Sequence, residues 1–418
     1  MILKSRVSSV AIAALAATAV ISTSPVASAA QVDLKVGITH PLTGGLASYG
    51  PGMSAAASWG VKLVDAAMKK AKVGSCTVVG SEDDQATPAV AVEAVTKLVK
   101  SNGAQLIVGP LTSGATIAAA QSVTIPNKVI MISDAASSPD VTTLEDGDTL
   151  FRTYASDALQ AKAIATWMGK LYGKTARVNV GARNDAFGSA LAAAFRTEWR
   201  SGGGKVGRTV LWNPNAATFD SDAYQLVSGI PAEAWFIADY EETFAKVAPA
   251  LARTKKWDAT RTFVNETFNN AASIEVVGAN FLNGVRGSST APNGTDTAAW
   301  KAEFKAAYPE FPGTFVDPSS FDAAVLGCLA AAYAKKTDAK SLAKGLRAVS
   351  GPAGKTYTYK KIKAAVKAVK KGKKITYQGV WGQMNFDAAG DPAGGVFDMF
   401  SVVDGKPVID EKDRITFN

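Results

Sequence analysis

The 418-residue sequence holds a single histidine, His40, and only two cysteines, Cys76 and Cys328. A Ser-His-Asp triad needs its imidazole oriented beside a nucleophile. His40 stands next to Pro41 in an early loop, and the chain has no G-x-S-x-G elbow. Metal sites built on clusters of His and Cys are excluded by numbers alone. No G-x-G-x-x-G opens a helix after the first strand pattern, and no Walker loop is present, so no cofactor is expected. The acids Glu82, Asp83 and Asp84 lack the liganding periodicity of a calcium loop and read as a solvated strand end. Beyond residue 30 no stretch reaches roughly 18 uninterrupted apolar residues, so no transmembrane segment is expected. Basic residues are not interleaved with aromatics, which argues against a nucleic-acid partner.

What is present begins with an export signal over residues 1–30. Lys4 and Arg6 form the positive start, residues 10–21 an apolar run too short to span a bilayer, and Ala27-Ser28-Ala29 a cleavage site. The expected product is periplasmic, cut near Ala29, with no cysteine at the cut for a lipid anchor. About 388 residues remain, enough for two full cores. The formal net charge of +9 falls to +7 without Lys4 and Arg6. Residues 360–374, KKIKAAVKAVKKGKK, hold eight lysines and no acid, and without them the mature chain would sit near −1. Ile362, Ala365, Val366 and Val369 recur at helical spacing, so these lysines line the solvated side of an amphipathic helix. Cys76 and Cys328 either pair, as an exported context permits, or stay apart with Cys328 as a buried thiol in the apolar segment FDAAVLGCLAAAYA.

Apolar strand patterns alternate with helical ones along most of the chain. Residues 32–39 read as a first strand, a Gly/Pro loop follows, and residues 53–70 keep helical spacing. Residues 77–83 form a second strand, after which Thr87 caps a helix opened by Pro88. Four such alternations in the first 125 mature residues give a parallel sheet with helices on both faces. From Phe151 the plan restarts, with strands expected near 177–181, 206–211, 234–238 and 261–264. A strongly apolar helix is expected over 322–336, and a hairpin-like tail with Asp-Gly turns closes the chain.

The stretch 105–140 holds two parallel strands, each ending in a loop of small and hydroxyl residues, Leu111-Thr112-Ser113-Gly114 and Asp134-Ala135-Ala136-Ser137-Ser138. In open α/β sheets ligands bind at that edge, where free backbone N–H groups favour anions. Two such loops one helix apart point to a small anionic or zwitterionic ligand.

The order of VGITHPLTGGLASYGPGMSAAASWGVKLV, DDQATPAVAVEAVTKLV, IVGPLTSGAT, ISDAASSPDVT, ARNDAFGSALAAAF, RTFVNETF, NGVRGS and YQGVWGQMNFDAAGDP resembles the type I periplasmic solute-binding proteins of ABC transporters, the Leu/Ile/Val-binding group. The resemblance covers nearly the whole mature chain. It implies two Rossmann-like lobes with parallel-sheet cores, joined by a three-segment hinge: residues 31–153 plus 285–395, and residues 154–284 plus 396–418. It further implies a monomer, not an enzyme, that binds a small molecule and hands it to a membrane permease. The family's carboxylate cradle falls on Ser113, Ala135, Ala136 and Ser137, and its wall aromatic on Tyr49. The acid for a ligand ammonium falls on Glu266. Phe187 stands where branched-chain binders carry tyrosine. Asp239 falls near another aromatic, with the register ambiguous by one or two residues. Glu241 and Glu242 read as helix N-terminal acids. The expected cargo is an amino acid, branched-chain or otherwise apolar or aromatic. The alternatives are urea, short amides or aromatic carboxylates on the same fold, or a ligand-sensing receptor module.

Overall fold

A computed structural model describes residues 1–2 and 31–418 except Pro312; the expected export signal lies outside the described residues. The first five strands are β1 (Val32–His40), β2 (Gly74–Asp83), β3 (Leu106–Val108), β4 (Ile130–Ser133) and β5 (Leu150–Arg152). They form one sheet in the order β2-β1-β3-β4-β5, parallel throughout. β3 and β4 are short apolar runs buried on both faces, as the middle of a helix-covered parallel sheet requires. Helices Gly50–Ala71 and Asp317–Ala334 cover one face of this sheet, and Pro88–Thr96 and Ser113–Ala119 the other.

The next strands are β6 (Arg177–Arg183), β7 (Lys205–Trp212), β8 (Ala234–Ala238), β9 (Thr262–Val264) and β10 (Arg286–Thr290). A two-stranded parallel ribbon follows, β11 (Lys355–Tyr357) with β12 (Ile375–Tyr377). The chain ends in β13 (Gly395–Val403) and β14 (Lys406–Phe417). The seven-stranded sheet runs β14-β13-β10-β9-β8-β6-β7. β13 and β14 join it antiparallel, across a turn in which Asp404 and Gly405 both take positive φ, 48° and 72°. That is the Asp-Gly hairpin chemistry read from the sequence.

Each sheet has its own apolar core. One core gathers residues 32–154 with residues 300–386, and the others gather residues 155–285 with 397–402. The chain therefore crosses between sheets near Tyr154, after Thr290 and before Gly395. The expected boundary at 284/285 falls short of the second crossing, because β10 pairs with both β9 and β13. Cys76 on β2 and Cys328 in the Asp317–Ala334 helix form a disulfide, Cα atoms 5.8 Å apart.

Three local expectations differ from the structure. The apolar helix begins at Asp317 rather than 322, and Asp322 is wholly buried. Its carboxylate accepts from Tyr377 Oη (2.9 Å), the Val380 amide (3.0 Å) and the Trp381 amide (2.7 Å), pinning the segment after β12. Thr87 has the extended backbone of a cap, but its side chain makes no capping bond. Asp84 is buried rather than solvated, accepting from Thr39 Oγ1 at 3.2 Å and the Ala86 amide at 2.9 Å. Burial pushes its carboxyl up to about 6. The helix Ile362–Lys370 does bury Ile362, Ala365, Val366 and Val369 and leaves all eight lysines of 360–374 exposed.

Candidate functional site

The loops after β3 and β4 meet at the carboxyl edge of the five-stranded sheet. Gly109 has φ +93°, and a Cβ there would lie 2.0 Å from the Thr39 carbonyl oxygen, so only glycine lets the first loop press against β1. The loops are then tied to each other. Ser113 Oγ accepts from the Ser138 amide at 3.2 Å, and Ser133 Oγ, which accepts from the Ala136 amide at 3.2 Å, donates to the Pro110 carbonyl at 2.9 Å. Beneath them His40 is fully buried, bonded through Nε2 to Asp134 Oδ2 at 2.7 Å and through Nδ1 to Ser54 Oγ at 2.9 Å. Burial opposes its charge, but Asp134, with Asp84 and Asp317 further off, outweighs burial and raises its pKa. The histidine ends β1 as a structural strut, not in the open loop that its neighbour Pro41 suggests.

Arg152, at the end of β5, holds the second loop from the other side. It is fully buried and donates to the carbonyls of Ala136 (3.2 Å) and Ser138 (2.9 Å). Its other nitrogens reach Thr142 Oγ1 at 2.7 Å and both carboxylate oxygens of Asp391, at 2.7 and 2.6 Å. Asp391 belongs to the stretch that leads into the last crossing, so one guanidinium links the loop to that stretch.

Five of the eight residues singled out in the sequence line one cavity of about 50 Å³: Tyr49, Ala135, Ser137, Phe187 and Glu266. Ser113 and Ala136 do not line it; both are buried, and their polar contacts above hold the loops together. Asp239 lies away from it as well. It is buried, receives Trp212 Nε1 at 3.0 Å and sits 3.7 Å from Arg183. The next residue, Tyr240, lines the cavity instead.

The cavity walls are aromatic. Phe187 stacks on Tyr240 with centroids 4.8 Å apart and planes 3° from parallel, and the Arg183 guanidinium lies 4.1 Å from the Tyr240 ring centroid. Tyr49 meets Phe315 edge-on at 6.2 Å. Tyr154, Leu46, Leu111 and Phe315 also line the cavity, and the sequence reading missed them. Phe315 sits in a Gly/Pro-rich stretch without periodicity, where no pattern marks it. Tyr49 bridges the two sheet systems, its hydroxyl 3.1 Å from Ser273 Oγ and 3.4 Å from the Thr267 carbonyl oxygen. Burial raises its phenol well above the ordinary value.

The polar side of the cavity is acidic. Glu266 opens the short turn after β9, and its Oε2 accepts from Gln160 Nε2 at 2.6 Å. Burial raises its pKa, with the Gln160 bond opposing. Asp157 is buried as well and accepts from Ser137 Oγ at 3.0 Å; burial and then repulsion from Glu266 hold its carboxyl well above the usual range. Its Oδ1 has no hydrogen-bond partner among the described residues. Glu266 lines the cavity and Asp157 lies behind Ser137, so one buried carboxyl beside small-residue loops suits a ligand with a cationic end and a compact polar end. Glu241 and Glu242 occupy the first turn of the Glu241–Arg253 helix, as read from the sequence. Glu241 is also buried and receives Ser48 Oγ from the other sheet system at 3.5 Å. Outside Tyr49 and Phe315, an open recess of about 570 Å³ separates Ser48 and Gly52 from Asn270 and Ala272.

Two sheet halves, parallel apart from β13 and β14, meet at a small and largely aromatic cavity, and the chain matches a family model described as periplasmic binding protein over residues 33–384. The chain belongs to that family. Relatives include the Leu/Ile/Val-binding protein BraC3 of Rhizobium johnstonii, 33% identical over 42% of this chain and 46% of its own length. The Leu/Ile/Val-binding protein homolog 3 of Brucella melitensis is 31% identical over 45% and 50%. The chain thus spans about half the length of these curated relatives. A chemotactic signal transduction substrate-binding protein, BasB of Halobacterium salinarum, is 25% identical over 85% of this chain and 86% of its own. Among solved structures, the leucine binding protein LivK of Thermotoga maritima superposes with a TM-score of 0.72 at 18% identity, covering 92% of this chain and 99% of that one. A solute-binding protein of R. palustris in complex with benzoate gives 0.64 at 18% identity, over 90% and 95%. At these identities the likeness is one of fold, the type I periplasmic binding fold, and family members are substrate-binding proteins. No helix among the described residues is long and apolar enough to cross a membrane.

Proposed function

We propose that this protein is an exported, monomeric substrate-binding protein of an ABC importer, that it takes an amino acid between two hinged lobes, and that it delivers it to a membrane permease. The observation that carries the reading is the junction cavity itself. Residues from the five-stranded half (Tyr49, Ala135, Ser137) and from the seven-stranded half (Phe187, Glu266) line one small space. A ligand touching both sets favours the closed form, because an opened form lacks one of them. In this reading the loops around Ser113 and Ala135–Ser137 receive the carboxylate, Glu266 receives the ammonium, and the aromatic walls set the side chain. The names of the Rhizobium and Brucella relatives support an apolar amino acid. Thermal unfolding of the mature protein against a panel of amino acids, amides and aromatic acids tests it. A ligand at about 100 times its dissociation constant adds roughly 2.7 kcal/mol and raises the midpoint. If no amino acid does so, the cargo reading fails.

A second reading, an aromatic carboxylate, is favoured by the stacked Phe187–Tyr240 pair and by the benzoate-bound neighbour. The same panel separates the two.

A further inference from the structure

The lysine-rich helix Ile362–Lys370 stands apart from the cavity and plays no part in it. It packs against the end of the Gly50–Ala71 helix, and Lys370 Nζ donates to the Ala71 carbonyl at 2.7 Å. That contact merges two clusters, the eight exposed lysines of 360–374 and the exposed Lys69, Lys70 and Lys72. Acids are scarce there. Asp65 pairs with Lys69 at 2.8 Å and Asp296 with Lys360 at 3.3 Å, and the other lysines of 360–374 have no ion-pair partner among the described residues.

Lys367 and Lys370 in the last turn suit the helix dipole, but the rest of the charge pattern works against the helix that carries it. Lys361 and Lys363 stand at its start, where the helix dipole disfavours cations, and no acid occupies its first turn. Lys363, Lys367 and Lys371 follow one another at four-residue spacing, which sets like charges side by side. A solvated face needs neither arrangement. Where local choices oppose the element that bears them, a binding role accounts for them.

The position of the cluster narrows the partner. The Gly50–Ala71 helix has 22 residues, so it runs about 33 Å from Tyr49 at the cavity to the lysines at its far end. The basic surface is therefore at the pole opposite the cleft. This step rests on the proposed function: when the cleft rim faces a permease, that pole points away from the bilayer. Lysine ammoniums on flexible stems read charge rather than a fixed geometry, and the cluster has no interleaved aromatics to stack bases. We infer that the lysine pole formed by residues 360–374 with Lys69, Lys70 and Lys72 docks on a linear phosphodiester polymer of the cell envelope.

The test measures binding of the mature protein to labelled poly(glycerol phosphate) by fluorescence anisotropy across a salt series. The expected result is an affinity that falls steeply and linearly on a log–log plot as salt displaces the released counterions. Replacing Lys363, Lys367 and Lys371 together by Gln lowers the affinity at least about tenfold near 0.15 M salt and flattens the slope. The same three changed to Arg keep both. A charge-matched control on the seven-stranded half, Lys246, Lys255 and Lys256 to Gln, leaves both unchanged. Equal loss in the control, or no loss in the first variant, overturns the proposal. So does tighter capture by phosphatidylglycerol vesicles than by the polymer at equal phosphate, which makes the bilayer the partner. Cleft ligands are followed in parallel by thermal shift on the same variants, so failure of the cleft reading registers there and not in the polymer titration.

Discussion

At the cavity, one carboxylate divides the candidate cargoes. Glu266 is buried beside Asp157, with Gln160 as its protein donor, so a bound ammonium relieves an acid that burial holds up. Glu266→Gln is expected to weaken an amino-acid ligand by about 10- to 150-fold, the value of a charge-assisted bond of about 1.5–3 kcal/mol. It leaves an amide or aromatic acid almost unaffected, and calorimetric titration of each ligand class reads the difference. Glu241 carries a pH signature. Burial, with Glu242 adding repulsion, pushes it up to about 8 from 4.5. On the proposed hinge closure, the closed form keeps a proton that an opened, solvated form releases. Closure has its full advantage below about 4.5, loses it as pH rises towards 8, and is level above that, at most about 1.4 kcal/mol per pH unit. Ligand affinity should decline across that window, and Glu241→Gln should flatten the decline. At this scale the sequence was legible as far as bringing Tyr49, Ser137 and Glu266 to one cavity. Asp239 and Tyr240 show where it was not. Just past a strand end, one residue of register decides whether an acid or a ring faces the cavity, and only packing against Phe187 and Arg183 settles it.

Among the elements, parallel strands were the most readable, because burial on both faces writes them as unbroken apolar runs such as LIV and IMIS. The second crossing was less so. Asn283-Gly284 resembles a boundary, yet β10 beyond it is held by strands on both sides. The buried Arg152–Asp391 pair was invisible in sequence, since its members are 239 residues apart. Removing one partner of such a pair strands the other in the interior and costs about 3–5 kcal/mol. Asp391→Asn should lower urea stability by that order. It should also weaken ligand binding, because Arg152 fixes the carbonyls of Ala136 and Ser138. Unchanged affinity in the folded variant would confine Arg152 to stability.

For the whole molecule, the disulfide joins β2 to a helix 252 residues later, and reducing it in the unfolded chain should cost about 2–5 kcal/mol on refolding, measured as a lower thermal midpoint under reductant. The same bond has a bearing on how the molecule is made. All of β6 to β10 lies between its two sulfurs in the chain. During synthesis from the amino end, Cys76 emerges long before its partner, and the five-stranded half lacks its Asp317–Ala334 cover until the seven-stranded half is almost complete. Synthesis of β6 to β10 thus precedes closure of the covalent ring around them, and β13 and β14 are added after it. Once closed, that ring keeps a chain nicked anywhere between β6 and β10 as one molecule.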